Sequence, residues 1–283
     1  MGNGIGLVRV TVSGGLLFPQ IFHAGDGAAL PVKLESILQY IDGYLGIPTH
    51  MDDPRAVNGL QVGGPDEAEH IVAAVDASEA SISEAVARGA DLMIVHHGLF
   101  WGGLQPLTGR HLRRVKALID NNVGLFSCHL PLDSHAEVGN AAVLGRELGV
   151  ELDGRFGQVQ GTEVGWYGHL TDPLTIDGFT AGVSEVLGAL PHVIPGGPDC
   201  VERVGIVTGA GASVLEEAVA LGLDAFVTGE APHHTHFDAM ELGIHVLLGG
   251  HYATETFGVK ALVAHLTERF GVSSEFIDQP TGL

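Results

Sequence analysis

An internal repeat constrains this chain more than any other feature. Ile71 to His97 aligns without gaps on Val204 to Glu230 at an offset of 133, and EAVA at 84–87 falls on EAVA at 217–220. Gly89 then pairs with Gly222, and Asp91 with Asp224. Each copy reads as strand, helix, strand: HIVAAVDAS is a buried apolar run, SISEAVARG an amphipathic helix, and DLMIVHHG a second strand ending in histidines. Strands alternating with helices at this spacing argue for parallel or mixed sheets covered on both faces. A second match, at offset 122, sets His129 and Asp133 opposite His251 and Glu255.

The remaining pattern agrees. Leu34, Ile37, Leu38, Ile41 and Leu45 recur at helical spacing, and DDPRAVNGLQVGG reads as loop and turn with Asn58 and Gly59 suited to positive φ. RHLRRVKALIDNN reads as a helix, VGLFSCHLPLD as a strand and FTAGVSEVLGAL as a helix. The expected fold is α/β, with two similar α/β lobes built on mixed sheets. The expected division is an N-terminal extension of unclear role at 1–32, a first lobe at 33–153, a connecting subregion at 154–200 and a second lobe at 201–283.

Both copies carry polar groups just beyond strand ends, where open α/β sheets bind ligands. His96 and His97 end one strand, and Gly229 and Glu230 occupy the equivalent place in the other copy. His251 and Glu255, four apart, share one face if helical, and an imidazole with a carboxylate suits zinc, iron, manganese or cobalt better than magnesium or calcium. Adjacent histidines point to opposite faces of a continuing strand, whereas a turn at Gly98 lets both rings converge. A carboxylate can bridge two cations, and such a pair lowers the pKa of a shared water. Asp133, taken alone, also reads as the N-cap of a helix through Asn140 and Ala141. His233, His234 and His236 fall on a glycine- and proline-flanked loop, expected at the pocket mouth.

Alternative chemistries have weaker signals. The chain has neither a GxSxG elbow nor a P-loop, and VTGAGAS lacks the full dinucleotide fingerprint, so it reads as a tight strand-to-helix turn.

With NGLQVGG, DLMIVHHGLFW, HLPLDSHAEVGN, VTGEAPHHTHFDAMELGI and GGHYATE in this order, the chain resembles the dinuclear-metal-centre hexamer family, the GTP cyclohydrolase 1 type 2 or Nif-three-like proteins. The resemblance covers about residues 34 to 280. It implies two similar lobes with the metals in the cleft between them, and toroidal homo-hexamers. It implies His96, His97, Asp133, His251 and Glu255 as ligands of two divalent transition-metal ions, with Asp133 or Glu255 as the bridge. His129 is not a usual ligand in the family and is assigned to the surroundings of the site. Glu230, His129 and His233 are the candidates for proton transfer. The implied activity is a metal-dependent hydrolase on a small, nucleotide-like substrate through metal-activated water. A non-catalytic hexameric scaffold and a two-metal phosphoesterase are the alternatives.

Composition narrows the partners. Thirty-four acidic residues against 13 basic ones give a formal net charge of −21, which disfavours nucleic-acid backbones and anionic membrane surfaces. Only Lys33, Lys116 and Lys260 are lysines, a bias that with the acidity suggests a salt-rich cytoplasm. Cys128 and Cys200 provide no disulfide framework and fit a reducing, cytoplasmic compartment; Cys128 reads as a small buried apolar residue. No apolar run approaches the roughly 20 residues that cross a bilayer.

Overall fold

The computed structural model describes residues 21–22, 31–103 and 105–283. The extension expected at 1–32 therefore lies largely outside the described residues. The chain runs through β1 (Ile21–Phe22), β2 (Val32–Lys33), α1 (Leu34–Tyr44), β3 (Gly59–Val62), β4 (Glu67–Ala68), β5 (His70–Asp76), α2 (Glu79–Ala87), β6 (Leu92–His97), α3 (Gly109–Asp120), β7 (Gly124–Ser127), α4 (Leu130–Asp133) and α5 (Asn140–Glu147). It continues through β8 (Val150–Val159), β9 (Thr162–Thr175), α6 (Ile176–Leu187), β10 (His192–Pro195), β11 (Cys200–Ile206), α7 (Leu215–Ala220), β12 (Ala225–Thr228), α8 (Thr235–Leu242), β13 (His245–Leu248), α9 (His251–Thr254), α10 (Thr256–Phe270) and β14 (Ser273–Phe276).

Two six-stranded mixed sheets result, ordered β1-β14-β5-β6-β7-β3 and β10-β13-β12-β11-β9-β8. Each has a parallel triplet at its centre, β5-β6-β7 in one and β11-β12-β13 in the other, and an antiparallel edge beside the third strand, β3 or β10. The period-2 alternation of a strand explains how the apolar run of β5 serves two layers. Ile71, Ala73 and Val75 pack with α1 and α10, whereas Val72 and Ala74 pack with α2 and α3. The second sheet is covered in the same way, by α5 and α6 on one face and by α7 and α8 on the other.

Tertiary burial rather than propensity holds α1. It has 11 residues and no side-chain N-cap bond, a length that is marginal in isolation. Leu34, Ile37 and Ile41 are buried, each contributing about 2 kcal/mol by removal from water. By contrast α2 starts on a capping box, in which Ser78 and Ser81 satisfy each other's backbone N–H groups.

The repeat is built into the backbone as well as the sequence. Asp91 Oδ2 accepts from the N–H groups of Glu69 and His70 at 2.8 and 3.0 Å, and Asp224 Oδ2 accepts from those of Glu202 and Arg203 at 2.9 and 2.8 Å. Gly89 and Gly222 both adopt a φ of +68°, the left-handed turn that a glycine tolerates. The histidine–acid pairs at offset 122 also correspond, since α4 and α9 are single helical turns that follow the third parallel strand.

Two local expectations change. VGLFSCHLPLD is a strand only to Ser127; Pro131 sits where a first helical turn accepts it, and HLPLD turns into α4. NGLQV forms β3 against β7, and only Gly59 of the Asn58–Gly59 pair has positive φ. The segment expected as a connecting subregion supplies β9, α6 and β10 to the second sheet. Conversely, α10 packs into the first core and β14 pairs in parallel with β5, so the end of the second half completes the first sheet. No helix among the described residues is long and apolar enough to cross a membrane.

The shared carboxylate role carries a prediction. Asp91→Ala and Asp224→Ala should each lower the unfolding free energy by about 1.5–3 kcal/mol, the range for hydrogen bonds to a charged group. Urea titration measures this. A loss under about 0.5 kcal/mol, ordinary for a surface change, at either position would deny that position its structural role.

Candidate metal centre

The carboxyl ends of the two parallel triplets face each other, and the polar residues of both halves meet there. His96 and His97 are the last residues of β6, and both stay within the strand. His96 continues the parity of Leu92 and Ile94, which face α10, whereas His97 continues that of Met93 and Val95. Their ring centroids are nevertheless 4.7 Å apart, and Glu255, from the other half, lies near both. Glu255 Oε1 lies 3.6 Å from His96 Nε2 and 3.1 Å from His251 Nε2, while its Oε2 lies 3.5 Å from His97 Nε2. Asp133 Oδ2 is 3.4 Å from His96 Nε2.

Every imidazole in the cluster is fixed through its other nitrogen. His96 Nδ1 lies 3.0 Å from the Cys128 carbonyl, His97 Nδ1 2.9 Å from Asp76, His129 Nδ1 2.8 Å from Asp52, and His251 Nδ1 3.0 Å from Glu230. A carbonyl and ionised carboxylates only accept, so each Nδ1 carries a proton, and Nε2 is the nitrogen that a metal would take once its own proton is lost. This is the arrangement by which outer partners orient metal-binding histidines. Asp133 is steadied by Asn140, whose Nδ2 donates to Oδ1 at 2.8 Å, so Asp133 is not the N-cap of α5; Gly139 takes that place.

Two buried atoms within this network have no hydrogen-bond partner, His96 Nε2 and Glu255 Oε2. Buried polar atoms of this kind are seldom left unsatisfied without a ligand. Among the described residues, single ligand atoms of His96, His97 and His129 lie within 4.8 Å of one another, as do those of His97, His251 and Glu255. These residues form groups that can hold a metal ion. The chain brings His129 into the first group alongside the expected pair. Trp101 packs against the cluster, its ring 5.5 Å from His97 and 4.6 Å from His129 in edge contacts.

The other expected residues sit further out. Glu230 is exposed and bonded to His251, and His233 is exposed with its ring against Phe237. Sequence reasoning missed Asp52, Asp76, Asn58 and Asn140. Asn58 accepts the His129 N–H at 2.8 Å and donates to Asp52 at 2.8 Å. Asp76 carries the one available signal, since it closes the strand that neighbours His97.

Gly209, in the VTGAGAS turn, has φ +64°, and a Cβ there would approach Glu255 Oε1 to 2.3 Å. A side chain is thereby excluded from the place where the second half presses on the cluster.

Charge in the cluster is strongly coupled. Burial opposes ionisation of Glu255, but His96, His251 and His97 outweigh it and hold the carboxyl well below its ordinary range. Burial likewise opposes the charge on His96, and the Asp133 and Glu255 carboxylates reverse this and raise its pKa. The hydrogen bond to Glu255 raises His251 to about 9 against partial desolvation.

Over most of its length the chain is similar to known proteins. A model of the Duf34/NIF3 (NGG1p interacting factor 3) family matches residues 32–281. A GTP cyclohydrolase 1 type 2 homolog of Halobacterium salinarum is 47% identical over 232 residues, 81% of this chain and 91% of that protein. One of Deinococcus radiodurans is 39% identical over 249 residues, 88% of this chain and 94% of that protein. Among solved structures, the protein ybgI superposes with a TM-score of 0.83 at 38% identity, covering 89% of this chain and all 100% of that one. TTHA1606 from Thermus thermophilus does so with 0.81 at 41%, covering 89% and 100%.

The raised histidine sets a pH dependence for the metal-free protein. A folded pKa of about 9 against an ordinary 6.5 means that the His251–Glu255 pair stabilises fully below pH 6.5 and that this contribution is lost as pH rises through about 9. Thermal unfolding in chelator should therefore show the wild-type midpoint falling towards that of Glu255→Gln between these limits. Parallel curves for the two proteins would refute the pairing.

Proposed function

The chain belongs to the Duf34/NIF3 family, and from the residues clustered at its strand ends we propose that it is a metal-dependent hydrolase holding two divalent transition-metal ions. The observation that carries the reading is the pair of unpartnered buried atoms, His96 Nε2 and Glu255 Oε2, among four histidines whose Nδ1 atoms are engaged. Buried charge is expensive unless compensated, and a cation between these groups would satisfy both. His96, His97, Asp133, His251 and Glu255 would hold the ions, with His129 as a sixth candidate. The two Glu255 oxygens face different imidazoles, which suits a bridge and supports two ions rather than one. Imidazole with carboxylate favours zinc, iron, manganese or cobalt.

When bound, such ions supply Lewis acidity and bring the pKa of water towards neutrality. The protein's own part is orientation and proton transfer. Cys128 O, Asp76 and Glu230 fix the tautomers of His96, His97 and His251, so their Nε2 lone pairs stay directed at the cluster. His129, oriented by Asp52, combines an imidazole and a buried carboxylate suited to taking up a proton beside the ions. Glu230, exposed and bonded to His251, would exchange the proton of that imidazole with solvent. His233 lies on Phe237 at the surface and takes no step here.

The relatives' name, GTP cyclohydrolase 1 type 2 homolog, points to hydrolytic opening of a purine ring, so a small nucleotide-like substrate is part of the proposal. A hexameric ring of identical chains is part of it too.

Metal content after reconstitution should be close to two ions per chain in the wild type and fall to one or none in His251→Ala and Glu255→Ala, read by elemental mass spectrometry. Gly209→Ala, which alters no ligand, should also lower it by crowding Glu255. A wild type that retains no transition metal would end the reading. Turnover is then assayed on nucleotides, cyclic compounds and phosphoesters. Retained metal without turnover of any of these would transfer the assignment to a non-catalytic metal-binding scaffold.

A further inference from the structure

Positive charge is scarce in this chain, yet four of its 13 basic residues lie within seven positions on α3: Arg110, Arg113, Arg114 and Lys116. Two are neutralised. Arg113 is paired in two places with Glu79, at 2.9 and 2.7 Å, and Lys116 is paired with Asp120. Among the described residues, Arg110 and Arg114 have no side-chain hydrogen bond or ion pair, and Arg114 Nε is buried without a partner. They are four apart, on one face of the helix.

This arrangement is unfavourable as it stands. Arg110 lies in the first turn of α3, which has no acidic residue and no side-chain cap, so its charge adds to the positive end of the helix dipole. Burial and the neighbouring Arg110 push the Arg114 pKa down, opposed by Glu79 and Asp76. Local rules broken together in this way mark functional places more often than neutral ones. The position is informative. α3 follows β6 and runs back to β7, so its first turn lies at the strand ends where His96 and His97 end β6. Asp76, whose charge reaches Arg114, is the residue bonded to His97.

We propose that Arg110 and Arg114 form a subsite for a phosphate group beside the histidine cluster, and that the substrate is a phosphorylated small molecule. The proposal rests on the hydrolase reading above for the identity of the bound molecule as a substrate. Two guanidinium forks on one helix face match the charge and the oxygens of a phosphate dianion. The reacting bond then lies towards the histidines, with the phosphate held one helix away. The subsite also reconciles an anionic substrate with a chain of net charge −21.

The test uses inorganic phosphate and the full chain in chelator, so that bound metal plays no part. Phosphorus NMR or calorimetry should show saturable binding to the wild type. Arg110→Gln and Arg114→Gln should each weaken it about tenfold or more, the loss expected for a hydrogen bond to a charged group. Lys116→Gln removes the same charge from the same helix and should change it less than about twofold. Arg110 is exposed, so its variant is expected to fold even if Arg114→Gln does not. Equal binding by Arg110→Gln and the wild type, or no saturable binding at millimolar phosphate, overturns the proposal. Metal content is read in a parallel reconstitution of the same proteins, apart from the phosphate titration. Loss of metal binding and loss of phosphate binding are therefore separate outcomes, and the two readings fail independently.

Discussion

Two carboxylates buried at the seam between the sheets, Asp133 and Glu255, set the terms for the surrounding structure. An unpaired buried carboxylate costs several kcal/mol, so each must be surrounded by donors or cations. Asp133 comes from the first half and Glu255 from the second, and His96 lies within 3.6 Å of an oxygen of each. His96 thus serves Asp133 from its own half and Glu255 from the other, and so joins the two halves. Asn140, fully buried, ties the arrangement together: its amide donates to Asp133, and its oxygen accepts the Gly258 N–H at 2.6 Å. One side chain therefore sets both an acid of the cluster and the start of α10.

This dependence explains the exchange of helices between the halves. α5, from the first half, packs on the second sheet, and α10, from the second half, packs on the first. Phe257 joins the core of the second sheet and Val259, two residues on, that of the first, so α10 is shared between the two layers. Relative sliding of the sheets would separate His96 from Glu255 and expose both cores, so the geometry of the cluster and the stability of the fold are one constraint. Close packing makes such a seam stiff, as a site that positions ligands requires.

Much of this was legible in the sequence, for reasons that particular residues illustrate. Periodicity located α1, and apolar runs located β5 and β6, because burial on one or two faces leaves a regular trace. The duplication was visible in EAVA, Gly89 and Asp91, because the left-handed turn and the backbone cap require those residue types in both copies. The site's long-range partners left no such trace. Asp52 and Asn58 are 77 and 71 residues from His129, and any polar loop contains such residues. The meeting of His96 and His97 was legible only as alternatives, since strand parity separates the rings and the carboxylate near both, Glu255, comes from the other half. The return of β14 to the first sheet is also non-local, and nothing in SSEF announces its neighbour.

Charge distribution completes the physical picture. A chain with 34 acidic residues against 13 basic ones repels anions at long range, yet α3 holds two unpaired arginines. Long-range repulsion and short-range recognition respond differently to salt. At about 1 M salt the Debye length is about 3 Å, so the field of distant carboxylates is largely screened. A guanidinium in direct contact with an oxygen, partly desolvated, is screened much less. Concentrated salt would thus reduce the cost of the acidic surface and leave contacts at Arg110 and Arg114 in place. An acidic exterior and a local anion subsite are compatible for that reason, and more so as the ionic strength rises.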